Sequence, residues 1–138
     1  MSNAPAPQPE PSSREPAVDP KSSAAAVELV DKFVTLLNRH RFDEAYMLLG
    51  PGAPSRTQFD RDFTRYSGLE VSAGQPGDQE GAAGSIYLSV PLTVSGIFEG
   101  QRKHRDATAI LRRVNDVPGA TEAQRHWHIE RIDWGSAP

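Results

Sequence analysis

From Ser85 to Ser95 the chain alternates residue by residue. Ile86, Leu88, Val90, Leu92 and Val94 are apolar, and Tyr87, Ser89, Pro91, Thr93 and Ser95 fall between them. A period of two over that length predicts a β-strand with one face on a core. Pro91 removes one ladder donor, which predicts an edge position or a bulge there. Glu99 and Gly100 follow as a tight hairpin turn. The return strand is expected from Arg102 to Val114, with a break over Asn115 to Gly119. A short strand is expected earlier, at Leu69–Ala73, and a last one at His126–Trp134. In that last strand Trp127 and Ile129 share one phase while Ile132 and Trp134 take the other. A bulge between the two pairs would bring all four to the core side.

Before Leu69 the period is helical. Val27, Val30, Val34 and Leu37 recur at three- and four-residue steps from a start near Ser22 or Ser23, and Leu29, Phe33 and Leu36 widen the stripe. A second short helix is expected over Phe42–Leu49, closed by Gly50 and Pro51. A third begins near Pro54–Thr57, with Thr57 and Asp60 as a capping pair. Phe59, Phe63 and Tyr66 lie on one side of it, and Gly68 would stop it. Gly74 to Gly84 reads as a loop. Helices first and strands later predict an α+β domain, its N-terminal helices packed on a strongly curved antiparallel sheet.

The chain has 138 residues, one domain's worth, with 37 % hydrophobic and 24 % charged residues. Residues 1–21 hold Pro5, Pro7, Pro9, Pro11, Pro16 and Pro20, half of the twelve prolines. Apart from Met1, Val18 is their only aliphatic residue larger than alanine. Such a stretch buries too little to offset its ordering entropy, so a disordered leader is expected over 1–21 and a domain over 22–138. Met1 to Ala4 resembles the remnant of a cleaved expression tag. On that reading a natural signal or lipid anchor was trimmed away, and the expected location is periplasmic or otherwise extracytoplasmic. No apolar run of membrane-spanning length occurs. The absence of cysteine excludes disulfides and thiolate chemistry, and a net charge of −3 speaks against a nucleic-acid partner.

The run Arg41-Phe42-Asp43-Glu44-Ala45-Tyr46 after an apolar first helix resembles the nuclear-transport-factor-two-like superfamily. So does the closing Trp127-His128-Ile129-Glu130-Arg131-Ile132. The resemblance spans residues 23–134. It implies an α+β cone, a curved sheet around the first helix, and it covers enzymes such as ketosteroid isomerase and scytalone dehydratase as well as non-catalytic exported domains. Ketosteroid isomerase sets an aspartate base and a tyrosine–acid oxyanion site in that cone. Asp60, Asp62 and Asp106 are the acids at hand here, and no spacing pairs one of them with a tyrosine, so that chemistry is not carried over.

Tyr46, Phe63, Tyr66, Arg112 and Trp127 are the candidates to line a binding pocket, with Phe59 beside them; aromatics at such spacings more often build plain core. Arg112 and Arg113 point to opposite faces, so at most one can reach the interior. His126 and His128, two apart on a strand, have a metal-ligand spacing with His104 as a third donor. A pair alone falls short of a ligand set, so no metal and no cofactor is expected. Arg102, Lys103, His104 and Arg105, with Arg112 and Arg113, form a basic cluster suited to an anion or to guarding a hairpin edge.

The reading that follows is a non-catalytic domain that binds a small apolar ligand or a protein partner. The alternatives are an isomerase, dehydratase or cyclase working in the cone, and a homodimer paired through the outer sheet face at Tyr87, Ser89 and Thr93.

Overall fold

The computed structural model describes residues 22–50, 52–114, 119, 121 and 126–135. The leader over 1–21 and the break at residues 115–118 lie outside the described residues.

Helix α1 spans Ser23–Asn38. Ser22 caps it, its hydroxyl oxygen accepting from the Ala25 N–H at 3.2 Å. Ala26, Val30, Phe33 and Leu37 are its buried residues. Val27 and Val34, expected at the centre of the stripe, lie half-buried on its flank. Phe33 and Leu37 have the most apolar area to remove from water, so the helix rolls to bury them first.

Helix α2 covers only Phe42–Tyr46. It stops before the expected Leu49 because the sheet takes over the backbone groups that would have continued it. Leu49 forms a parallel bridge to Ile129. The Gly50 N–H donates to the Ile129 carbonyl at 2.8 Å, and the Ile129 N–H to the Leu48 carbonyl at 3.3 Å. Helix α3 spans Arg56–Phe63 and is capped by Ser55, not Thr57, with the Ser55 hydroxyl accepting from the Gln58 N–H at 3.2 Å. It ends at Phe63, so Tyr66 belongs to the strand that follows, and Gly68 (φ 61°) lies inside that strand rather than closing the helix.

The sheet is antiparallel and five-stranded: β1 Tyr66–Ala73, β2 Glu80–Ala82, β3 Ser85–Phe98, β4 Gln101–Val114 and β5 His128–Trp134. The order is β1-β3-β4-β5, with β2 also on β3. Leu88, Val90, Leu92 and Val94 are buried as the alternation predicts. Strand β3 is interior, and its register with β4 is unbroken through Pro91. Pro91 is tolerated there because β1 ends opposite Leu92. The Pro91 carbonyl accepts from the Gly74 N–H at 2.8 Å, so the missing ladder donor would face that strand-free side.

The bulge expected in β5 is present. Leu111 pairs with Ile129 and Ile110 with Arg131, which leaves Glu130 as the extra residue. Trp127 and Ile129 are buried, and Ile132 and Trp134 pack on the same core. A second irregularity, between Ser67 and Glu70 in β1, adds to the curvature of the sheet around α1. This is the α+β arrangement that the sequence and its resemblance imply. The interior of the cone is filled: Phe33, Phe59 and Phe63 are at most 1 % exposed, with ring centroids 5.1–6.4 Å apart.

Candidate functional site

With the centre of the cone occupied by side chains, open space remains at its rim. Between α3 and β5 lies a partly enclosed groove of about 280 Å³. Helical spacing on α3 turns Phe59 and Phe63 into the core and leaves Gln58 and Asp62 on the rim. Strand β5, shifted by its bulge, supplies Ile132 and Trp134 to the same groove, with Arg131 at its edge. The Trp134 ring lies 5.4 Å from the Phe63 ring. The floor is therefore aromatic, and the polar groups gather at one side.

Asp62 is the focus of those polar groups. The Gln58 side-chain amide donates to its Oδ1 at 3.1 Å, and the Trp134 indole faces it. Burial raises its carboxyl above the ordinary carboxylate value; the Gln58 amide, the Trp134 indole and the charges of Arg105 and Arg61 pull the other way without reversing the shift. Tyr66 is buried close by, its ring 5.1 Å from Phe98. Burial raises its phenol too, opposed by the Arg105 charge and reinforced by that of Asp62. Arg105 reaches in from β4 with its guanidinium 4.4 Å from the Trp134 ring centroid, and its buried Nε has no hydrogen-bond partner. Four elements thus bring Asp62, Tyr66, Arg105 and Trp134 within electrostatic reach of one another. Asp62 and Tyr66, which sequence spacing does not pair, meet because the chain passes from α3 to β1 within three residues.

The five pocket candidates do not converge. Phe63 lines the groove. Tyr46 stands behind it, edge-on to Phe59 at 5.1 Å, with its hydroxyl donating to the Pro54 carbonyl at 2.7 Å. Tyr66 sits at the start of β1. Trp127 lies toward the far end of the sheet, its indole N–H donating to the Ser22 carbonyl at 2.9 Å. Arg112 turns to the outer face, where its Nε donates to the Ser85 hydroxyl at 3.0 Å and its Nη1 stands 3.9 Å from Glu130. The inward arginine is Arg113, in phase with the buried Ala107, Ala109 and Leu111. That phase was readable from the sequence. Asp62 and Trp134 had no such signal, because their meeting depends on how α3 and β5 cross.

The histidines go to separate places. His128 holds Glu130, with Nε2 and Oε1 3.0 Å apart, and His104 lies 3.3 Å from Asp106. His104 pairs opposite Ser95, whereas His128 pairs opposite Arg112, eight residues further along β4 and roughly 26 Å away. Among the described residues no three histidine, aspartate or glutamate side chains converge as a metal site would need. The basic run Arg102 to Arg105 occupies the part of β4 before Ala107, where β5 pairing begins. Charge on such an unpaired edge opposes strand addition.

No family model matches this chain, and no curated protein is similar to it. It is similar to a solved variant of a designed nuclear-transport-factor-two-like protein, named Rd1NTF2_05 with five substitutions. The two are 12 % identical, with a TM-score of 0.49, and the likeness covers 82 % of this chain and 98 % of that one. The fold class rests on the element order and register above: an α+β domain with its helices packed on a curved antiparallel sheet.

Proposed function

We propose that this domain is a binding module, and that the groove between α3 and β5 takes a small, largely apolar ligand bearing one polar group. The observation that carries this reading is the arrangement of the groove: an aromatic floor of Phe59, Phe63 and Trp134 with Asp62 half-buried at one side. Apolar walls supply affinity and a single oriented polar group supplies direction. The groove is small, and so is the ligand it fits. The proline-rich composition of residues 1–21 favours a tethered, extracytoplasmic setting.

A second reading has one observation in its favour. A carboxyl with a raised pKa beside a tyrosine suits proton transfer, as an isomerase, dehydratase or cyclase requires. One experiment serves both. Amide and indole NMR signals are followed while small cyclic alcohols, amines and ketones are added. Saturable shifts at Asp62, Phe63 and Trp134, lost in Trp134→Ala, support the groove; shifts elsewhere, or none, remove it. Conversion of a bound ketone or alcohol, abolished by Asp62→Asn with binding retained, would move the assignment to the enzyme.

A further inference from the structure

The charges around the groove between α3 and β5 are unequally matched. Its lining includes two ionisable side chains, Asp62 and Arg131. Arg131 is exposed and held by Asp133, with Nε and Oδ1 3.0 Å apart. Asp62 is half-buried and lines the groove itself. A carboxylate has about four lone-pair sites, and the neutral Gln58 amide meets one oxygen of Asp62 at 3.1 Å. Arg105 and Arg61 act on Asp62 through space, without a hydrogen bond to it. Arg105 stands instead over the Trp134 ring, 4.4 Å from its centroid. A carboxylate drawn partly out of water with no cation bonded to it is costly, and a ligand that brings the cation relieves that cost.

We propose that the groove takes a primary amine with an apolar body, the ammonium donating to the Asp62 carboxylate and the body lying on Phe63, Ile132 and Trp134. This rests on the reading of the groove as a binding site and adds the charge and class of its ligand. An ammonium carries three N–H donors. Those that Asp62 does not accept meet water, because the groove is only partly enclosed. An alcohol can also donate to Asp62, but its hydrogen bond lacks the charge on the donor side and is the weaker one. A carboxylic acid would set its own negative charge against Asp62. Arg105 and Arg61 oppose any cation nearby, so it is the direct bond to Asp62 that selects the amine.

The probes are benzylamine, protonated at pH 7, and benzyl alcohol, which has the same ring and the same reach. Each is titrated while the Phe63 amide and Trp134 indole NMR signals are followed. Benzylamine is expected to bind about tenfold more tightly, the scale of a charge-assisted bond against a neutral one. Asp62→Asn keeps the shape and removes the charge. It should abolish that preference and leave the affinity for the alcohol nearly unchanged. Equal affinity of the two probes for the parent protein, or a preference that survives in Asp62→Asn, would overturn the amine assignment and leave the groove as an apolar site. No saturable shift with either probe would overturn both the assignment and the groove reading beneath it. The comparison in the parent protein stands whether or not the variant folds.

Discussion

Asn38 grips Val71 by both of its main-chain groups: its side-chain amide donates to the Val71 carbonyl at 2.9 Å, and its side-chain oxygen accepts from the Val71 N–H at 2.7 Å. Asn38 is the last residue of α1, and Val71 lies in β1, at the edge of the sheet. The amide thus takes the place of a missing neighbour strand, satisfying an edge that would otherwise be open to pairing.

Asn38→Ala should cost about 2 kcal/mol, from two lost hydrogen bonds at a backbone that is otherwise buried. Asn38→Asp should cost less, because it keeps the acceptor. Urea unfolding of the two variants measures this; equal losses would mean that the retained acceptor contributes nothing.

Two glycines in one hairpin should respond differently to alanine. Gly100 sits in the β3–β4 turn at φ 84°, with open space where a Cβ would go, so Gly100→Ala should cost only backbone strain, about 1 kcal/mol. Gly96 has φ 153°, and a Cβ there would come 3.0 Å from the Ser67 carbonyl oxygen and 3.2 Å from that of Gly68. Those atoms belong to the irregular stretch of β1 and cannot yield without breaking its register. Gly96→Ala should therefore lose about 2–4 kcal/mol, strain and overpacking together. Thermal unfolding of both variants tests the ranking.

Asp62 makes stability depend on pH in a known direction. Its folded pKa lies above the unfolded value of 3.8, so the folded state holds the proton more tightly. Above the folded pKa the ionised carboxyl opposes folding; as pH falls through that pKa toward 3.8 the opposition fades, and below 3.8 it is gone. Asp62→Asn should be the more stable protein at pH 7, with the gap closing as pH approaches 3.8. Denaturant midpoints at pH 7 and pH 4 give the comparison. A gap that stays constant would show that burial does not govern this carboxyl.

Phe63 serves both the core and the groove. Phe63→Ala should destabilise by about 3–5 kcal/mol, since the ring is 1 % exposed and lies against Phe33, Phe59 and Trp134. Phe63→Leu keeps most of the volume and should lose less than half as much. If calorimetry found the two variants alike, the aromatic cluster would not be a closely packed unit.

Much of the fold is determined locally. The alternation of Ile86 to Val94 fixes a strand and its buried face, because the side-chain period of a strand is two. Glu99-Gly100 makes the turn, because both residues sit at positive φ there. Even the bulge at Glu130 is implied, since Trp127 and Ile129 cannot share a face with Ile132 and Trp134 without an extra residue. What the sequence leaves open depends on contacts between distant segments. The end of α2 is set by the β5 edge, which takes the backbone groups of Leu48 and Gly50. Pro91 fits an interior strand only because β1 stops opposite Leu92. Whether aromatic side chains line a cavity or fill it depends on how closely α1 and α3 approach the sheet, and here Phe33, Phe59 and Phe63 close the centre. The candidate site belongs to the same class. Asp62 meets Trp134 across elements far apart in the chain, and periodicity within one element carries no information about distance to another.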